Sequence, residues 1–379
     1  MKKIFKQLHL WLSIPIGMVV SVTCFTGAVL IFEPEISERA HRDYLYVAEV
    51  GTEVLPIDEL IARIEPTLAE GQEIRGITIF DDAERSYKVN LSQPKHGATY
   101  IDQYSGEVLG QPERLQLFRT MFRLHRWLMD SNPGDGSIFW GKMVVGISTL
   151  LMVIIILTGV VIWLPKHLKS LGARLTIKLR SGRHRLLYDL HVAGGFYATA
   201  LLLVMALTGL TWSFSWYRDG LYTVLGIEQT KSSQSKDSGA KMERSARTAD
   251  STPYAYWQEA YEQIASANSE AEQITISKGA ATVKSGGWGN QRATDRYTFD
   301  NATGKIVGVE LYSDSTKANK VRGWIYSLHV GNFGGIVTRV MWFLAAMLGA
   351  TLPLTGYYLW IRRLIVSRRA KTKLRKMVQ

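Results

Sequence analysis

Cysteine is nearly missing: in 379 residues there is one, Cys24. A single cysteine excludes an intrachain disulfide and any thiolate cluster for zinc or iron–sulfur chemistry. It also excludes the Cys-x-x-Cys-His attachment of a c-type haem. Charge is all but missing from four long stretches, 10–32, 143–164, 190–214 and 336–361. About 20 apolar residues span a hydrocarbon layer roughly 30 Å thick, and soluble cores seldom hold helices of this length without charge. The stretches therefore predict four membrane helices. Acid is missing from two further segments. Between Pro165 and Asp189 stand Lys166, Lys169, Arg174, Lys178, Arg180, Arg183 and Arg185 with no Asp or Glu, and the tail from Arg362 onward is equally basic and acid-free.

What is present follows from that distribution. The net charge of +12 gathers beside the apolar runs and not on a face of its own, so a lipid bilayer is the expected partner and nucleic acid is not. Basic segments stay in the cytoplasm, which predicts a multi-pass membrane protein with both termini inside. The expected layout is helix 1 in 1–32, an outer domain at 33–137, helix 2 in 138–164 and a basic loop at 165–187. Helix 3 follows in 188–214, a second outer domain at 215–330 with a linker at 228–252, helix 4 in 331–361 and a basic tail at 362–379. The first run is too long for a signal peptide, lacks a small-x-small cleavage site and continues into Phe32-Glu33-Pro34-Glu35, so it is kept as a helix. Cys24 inside it reads as a packing residue. Both outer segments mix helical periodicity (57–68, 254–267) with alternating strands (74–80, 87–91, 99–101, 273–278, 281–285, 296–299) and read as α+β domains.

Four histidines mark the ends of the apolar runs: His9, His125, His191 and His329. His9 stands at the same distance before Gly27 as His191 before Gly209, and both glycines follow a threonine. Thr-Gly-x-x-x-Trp recurs at Thr158/Gly159/Trp163 and Thr355/Gly356/Trp360, and Asp-x-x-x-Gly at Asp102/Gly106 and Asp300/Gly304. The pattern is that of a tandem internal duplication. An axis along the membrane normal would bring His9 near His191 and His125 near His329, although the second pair differs in spacing by about two helical turns. A pair of imidazoles from facing helices suits the two axial positions of haem b, one or two bis-His haems in all, and serves electron transfer. His184 lies about 10 Å before His191 on a similar face and is a further ligand candidate. Arg126, Arg185 and Arg322 are placed to neutralise propionates. His41, His96 and His167 have polar surroundings and read as solvated. The Thr-Gly pairs read as helix-packing features.

These marks, Leu8-His9-Leu10-Trp11 with Thr26-Gly27, Leu190-His191 with Thr208-Gly209, Leu328-His329-Val330-Gly331 with Phe333-Gly334, and Thr355-Gly356-Tyr357-Tyr358-Leu359-Trp360-Ile361-Arg362-Arg363, resemble the PepSY-associated transmembrane family. The Asp-x-x-x-Gly turns look like those of PepSY domains. In layout the chain is similar to the siderophore-iron reductases of the FoxB type within that family. The resemblance implies a haem protein of the inner membrane that reduces ferric siderophores in the periplasm and releases Fe(II), with the four histidines as haem ligands. No flavin or nicotinamide domain is recognisable, so a quinol or a cytoplasmic reductase is the expected electron donor. The rival readings are a siderophore permease, for which no charged residue stands mid-membrane, and a non-enzymatic PepSY protein that binds peptides or peptidases.

Overall fold

The computed structural model describes residues 2–94, 97–165, 167–227 and 254–378; the expected linker at 228–252 lies outside them. In chain order the helices are α1 (Lys2–Ile31), α2 (Glu33–Ala40), α3 (Arg42–Leu45), α4 (Ile57–Ile64), α5 (Gln116–Trp127), α6 (Trp140–Trp163), α7 (Leu171–Leu175), α8 (Arg183–Asp189), α9 (Gly195–Ser213), α10 (Ser215–Val224), α11 (Trp257–Ala267), α12 (Lys317–Val330) and α13 (Gly335–Val378). The strands are β1 (Ile74–Phe80), β2 (Tyr87–Leu91), β3 (Ala98–Ile101), β4 (Val108–Gly110), β5 (Ala271–Ser277), β6 (Ala280–Ser285), β7 (Asp295–Phe299) and β8 (Ile306–Glu310). The elements divide into two compact units.

The first unit comprises 1–33, 115–221 and 325–379. Four of its helical stretches are long and apolar enough to cross a membrane: Lys2–Ile31, Trp140–Trp163, Arg183–Ser213 and Gly335–Ala370. The chain is a multi-pass membrane protein, and its surface is inverted as that requires. Along α1 the residues turned inward include Gly17, Ser21, Thr26 and Ala28, while Trp11, Met18 and Phe25 are exposed. Without a hydrophobic force between helices in lipid, close approach over small residues holds them together. At mid-depth Ala198, Leu202 and Ala345 form a buried apolar cluster with Cys24, Met152, Ile156, Leu348 and Leu352 packed against it. A Cβ on Gly349 would meet Leu202 Cδ2 at 2.8 Å and Cys24 Sγ at 3.0 Å. Cys24 is a packing residue of this layer.

The third crossing starts earlier than its apolar run. Helix α8 passes into a π-helical turn, Leu190–Gly194, and then into α9. A π turn inserts a residue and re-aims the side chains on it, and such turns concentrate at functional sites. His191 lies in this one. Asp189, buried just before it, accepts from Arg185 Nε at 2.9 Å and from the Lys178 N–H at 3.0 Å, which ties the acid-free loop to the start of the crossing.

The second unit comprises 34–114 and 222–324. The two outer segments were expected as separate α+β domains; they form one antiparallel eight-stranded sheet in the order β4-β3-β2-β1-β5-β6-β7-β8. The seam is β1 against β5, with Ile77 opposite Ile276 and Thr78 opposite Thr275. Alone, each half-sheet would end on a strand whose unpaired edge carries buried isoleucines, and such edges pair readily. Helices α4 and α11 contribute Ile57, Leu60, Ile64, Trp257, Ala260 and Ile264 to a single core with Ile77, Val89, Ile101, Ile276, Val283 and Phe299. The boundaries move accordingly. α5 and the end of α12, assigned to the outer domains by polarity, belong with the membrane helices. The two Asp-x-x-x-Gly turns are alike: the Gly106 and Gly304 N–H groups donate to the Asp102 and Asp300 carbonyls at 2.9 and 2.8 Å, and both glycines have positive φ, +72° and +65°.

Trp257, at 1 % exposure, is the largest side chain of this core. Trp257→Ala should destabilise the second unit by about 3–5 kcal/mol, read as a lowered unfolding midpoint of the detergent-solubilised full chain.

Candidate functional site

The membrane unit brings the four histidines together in two pairs. The rings of His9 and His191 have centroids 6.4 Å apart at 90°, and those of His125 and His329 are 6.1 Å apart at 58°. His9 comes from α1 and His191 from the π turn ahead of α9. His125 comes from α5 and His329 from α12. On α1, His9 is separated from Thr23 and Gly27, which contact His125, by about 21–27 Å of helix at 1.5 Å per residue, so the pairs lie at opposite ends of the bundle.

Each imidazole rests on a neighbouring helix in the same manner. His9 Nδ1 donates to the Ile155 carbonyl at 3.0 Å, with Thr158 Oγ1 at 3.1 Å. His191 Nδ1 donates to the Leu352 carbonyl at 3.1 Å, with Thr355 Oγ1 at 3.0 Å. His329 Nδ1 donates to the Met205 carbonyl at 3.0 Å, with Thr208 Oγ1 at 3.1 Å. His125 Nδ1 donates to the Thr23 carbonyl at 2.8 Å; here the equivalent hydroxyl, Thr26 Oγ1, bonds only to its own helix. In all four the carbonyl stands one helical turn before a glycine: Gly159, Gly356, Gly209 and Gly27. A Cβ on those glycines would meet the Cε1 of the seated histidine at 3.3, 3.2, 3.1 and 2.9 Å respectively. The ring edge therefore occupies the space a side chain would fill.

This seat fixes the chemistry of the ring. A carbonyl oxygen can only accept, so Nδ1 carries the proton and Nε2 keeps its lone pair. Among the described residues none bonds to Nε2 of the four histidines. A second-shell carbonyl on one nitrogen that frees the other for a metal is the usual arrangement of a ligating histidine. Trp212 packs edge-on against His329 with centroids 5.1 Å apart.

The described residues contain no group of three or more His, Cys, Asp or Glu side chains that could hold a metal ion. Two imidazoles alone cannot complete the tetrahedral set of a zinc site. They can complete an iron whose four other positions are filled by a macrocycle. Two nitrogens about 2 Å from a shared ion put their ring centroids roughly 6 Å apart, and both pairs have that separation. The residues present fit haem.

The remaining sequence candidates stand elsewhere. The His184 ring lies 6.2 Å from that of Tyr358, in a groove with Arg362 and Arg363, away from both pairs. Arg185 is engaged by Asp189. The Arg126 guanidinium lies against the rings of Phe122 and Trp127, 5.5 and 5.2 Å from their centroids. His41 is in the second unit with its Nε2 buried and unbonded, a departure from the solvated position its sequence context suggested. His96 lies outside the described residues.

Sequence reasoning missed the role of the Thr-Gly pairs, which read as packing features. Their number carried the signal: Thr26-Gly27, Thr158-Gly159, Thr208-Gly209 and Thr355-Gly356 occur once in each apolar run, one for each histidine.

The family model of the PepSY-associated TM region matches residues 6–363, nearly the whole chain. The protein belongs to the PepSY-associated TM region family. No individually curated protein matches it. The matched span of the PepSY-associated region takes in all four histidines, all four Thr-Gly seats and both Asp-x-x-x-Gly turns.

Proposed function

We propose that this protein is a haem-carrying oxidoreductase of the bacterial inner membrane that moves electrons across the bilayer and reduces ferric siderophores in the periplasm, releasing Fe(II). The observation that carries the reading is the pair of facing imidazole sets, each ring locked through Nδ1 with Nε2 free. His9 and His191 would hold one haem b, and His125 with His329 a second. Haem bound in this way supplies a one-electron Fe(III)/Fe(II) couple with both axial positions closed, which suits electron transfer and not the binding of a small molecule.

The chain's own residues supply the rest. The Ile155, Leu352, Met205 and Thr23 carbonyls orient the four rings and make them stronger donors. The apolar layer around Leu202, Ala345 and Leu348 keeps water and ions out of the middle of the bundle. The acid-free loop and tail orient the bundle with both termini in the cytoplasm, which puts the His9–His191 pair on the donor side and the sheet in the periplasm. The donor is a quinol or a soluble reductase, and one electron is consumed per ferric ion. Hard oxygen ligands hold Fe(II) less tightly than Fe(III), so reduction is enough to loosen the chelate.

The face of the sheet opposite its core is polar, with Thr78 buried in its middle. Cross-strand neighbours Tyr100, Lys88, Thr78, Thr275, Thr282 and Arg296 run in register across it, on the face opposite the core isoleucines. Thr78 Oγ1 lies 2.9 Å from Thr275 Oγ1 and accepts from Asn90 Nδ2 at 3.1 Å. Burial lowers the pKa of Lys88. The correspondence of α1, α5 and α6 with α9, α12 and α13, seat for seat, supports an origin by tandem duplication.

An absorption spectrum of the detergent-purified protein tests the reading. The expected result is a low-spin b-type spectrum that dithionite reduces and a ferric siderophore reoxidises. A protein purified from haem-replete cells without a Soret band would overturn it.

A further inference from the structure

The groove that holds His184 has no part in the reading above. It is lined by His184 from α8 and by Leu359, Arg362, Arg363, Val366 and Ser367 from α13. It lies at the end of two membrane-crossing stretches, where α13 continues past its apolar run. Its chemistry is one-sided. Two guanidiniums, an imidazole and a hydroxyl converge, and no carboxylate is present. The flanking segments contain no acid from Lys166 to Tyr188 or from Arg362 to Gln379. The nearest acid in sequence, Asp189, is buried and held by Arg185 and the Lys178 N–H. Neither Arg362 nor Arg363 forms an ion pair with any described residue. Leu359 and Val366 add an apolar border on the same helix.

Guanidiniums present planar, paired donors that match phosphate oxygens, and basic pockets at the ends of membrane helices take anionic headgroups. A soluble phosphate would need the cations but not Leu359 or Val366. A lipid uses both, because its acyl chains run along the helix while its headgroup stays level with the arginines. We propose that this groove is a binding site for the phosphate of an anionic phospholipid, held by Arg362 and Arg363 with His184 and Ser367 at its rim. The site is independent of haem and of the reductase reading.

The test uses the full-length protein in nanodiscs of mixed phosphatidylglycerol and phosphatidylcholine, released for native mass spectrometry so that retained lipids are counted. Phosphatidylglycerol should be retained preferentially, and R362Q/R363Q should reduce that retention about fivefold for each guanidinium removed. The variant R180Q/R183Q removes the same charge outside the groove and should keep the retention. Equal retention of both lipids, or equal losses in the two double variants, would overturn the proposal in favour of a diffuse surface field. Displacement of the lipid by millimolar inorganic phosphate would overturn it in favour of a soluble ligand. Thermal unfolding of both variants in the same discs shows that the chain remains folded.

Discussion

His329→Ala should leave a protein that inserts, folds and binds about half of the wild-type haem. The ring it removes is seated on α9 through the Met205 carbonyl and Thr208, faces His125 at 6.1 Å and makes no contact with His9 or His191. The change should therefore abolish the outer site and spare the inner one. Pyridine haemochrome quantification against protein gives the ratio, and low-temperature electron paramagnetic resonance separates the two low-spin signals. His191→Ala should give the reciprocal loss. His329→Met is the informative companion, because a thioether can still ligate: haem content should recover in part while the midpoint potential of the remaining signal rises, as replacing an axial histidine with methionine does. A histidine that serves only to pack helices would give no change in potential with either residue. If both alanine variants retain full haem, the pairs are not ligands.

Gly27→Val should imitate His125→Ala without touching a ligand. A Cβ at this position already meets His125 Cε1 at 2.9 Å, closer than real side chains approach, and valine adds two methyls to that. The ring has no room to yield while its Nδ1 remains on the Thr23 carbonyl at 2.8 Å, so it must leave the seat and, with it, the line to His329. Overpacking of this kind costs about 1–3 kcal/mol, small for a bundle of this size but enough to displace one imidazole. Gly172→Val is the control, since a Cβ there meets nothing within 4 Å. The expected outcome is loss of the outer spectroscopic signal in the first variant and wild-type spectra in the second. Retention of both signals in Gly27→Val would mean that the seat does not position the ring.

The legible parts of this protein were those governed by periodicity and charge. Four apolar runs, two basic segments and the strands at 74–80 and 87–91 follow from local pattern; both strands have the expected limits, whereas α13 runs on to Val378, through the segment expected as a separate basic tail from 362. The edge strands β4 and β8 carried no bounds in the sequence reading, because each follows directly on an Asp-x-x-x-Gly turn and packs little of its length into the core. The joining of both outer segments into one sheet was not legible either. Nothing in Ile74–Phe80 distinguishes a strand that pairs with β5 from one that ends a sheet, because the partner edge lies far along the chain. The π turn at Leu190–Gly194 escaped for a similar reason: one inserted residue leaves no trace in an apolar run. The positions of the histidines were read from their recurrence, but not what supports them. A Thr-Gly pair in a membrane helix carries the same local signal whether it faces another helix or a ring from one.

The seats and the pairs divide the chain differently, and that sets the order in which the molecule can be completed during synthesis. His9 and His125 rest on α6 and α1, and His191 and His329 rest on α13 and α9. The portion made first thus prepares two imidazoles on its own helices, and the later portion prepares two more, but neither portion holds both members of a pair. The sheet follows the same division, since β1 waits for β5 with Phe80 opposite Gln273. A nascent chain halted after α6 would present two oriented nitrogens with nothing across from them and one open strand edge exposed to aggregation. Iron ligated across the two portions would then act as a clasp that only a finished chain can close.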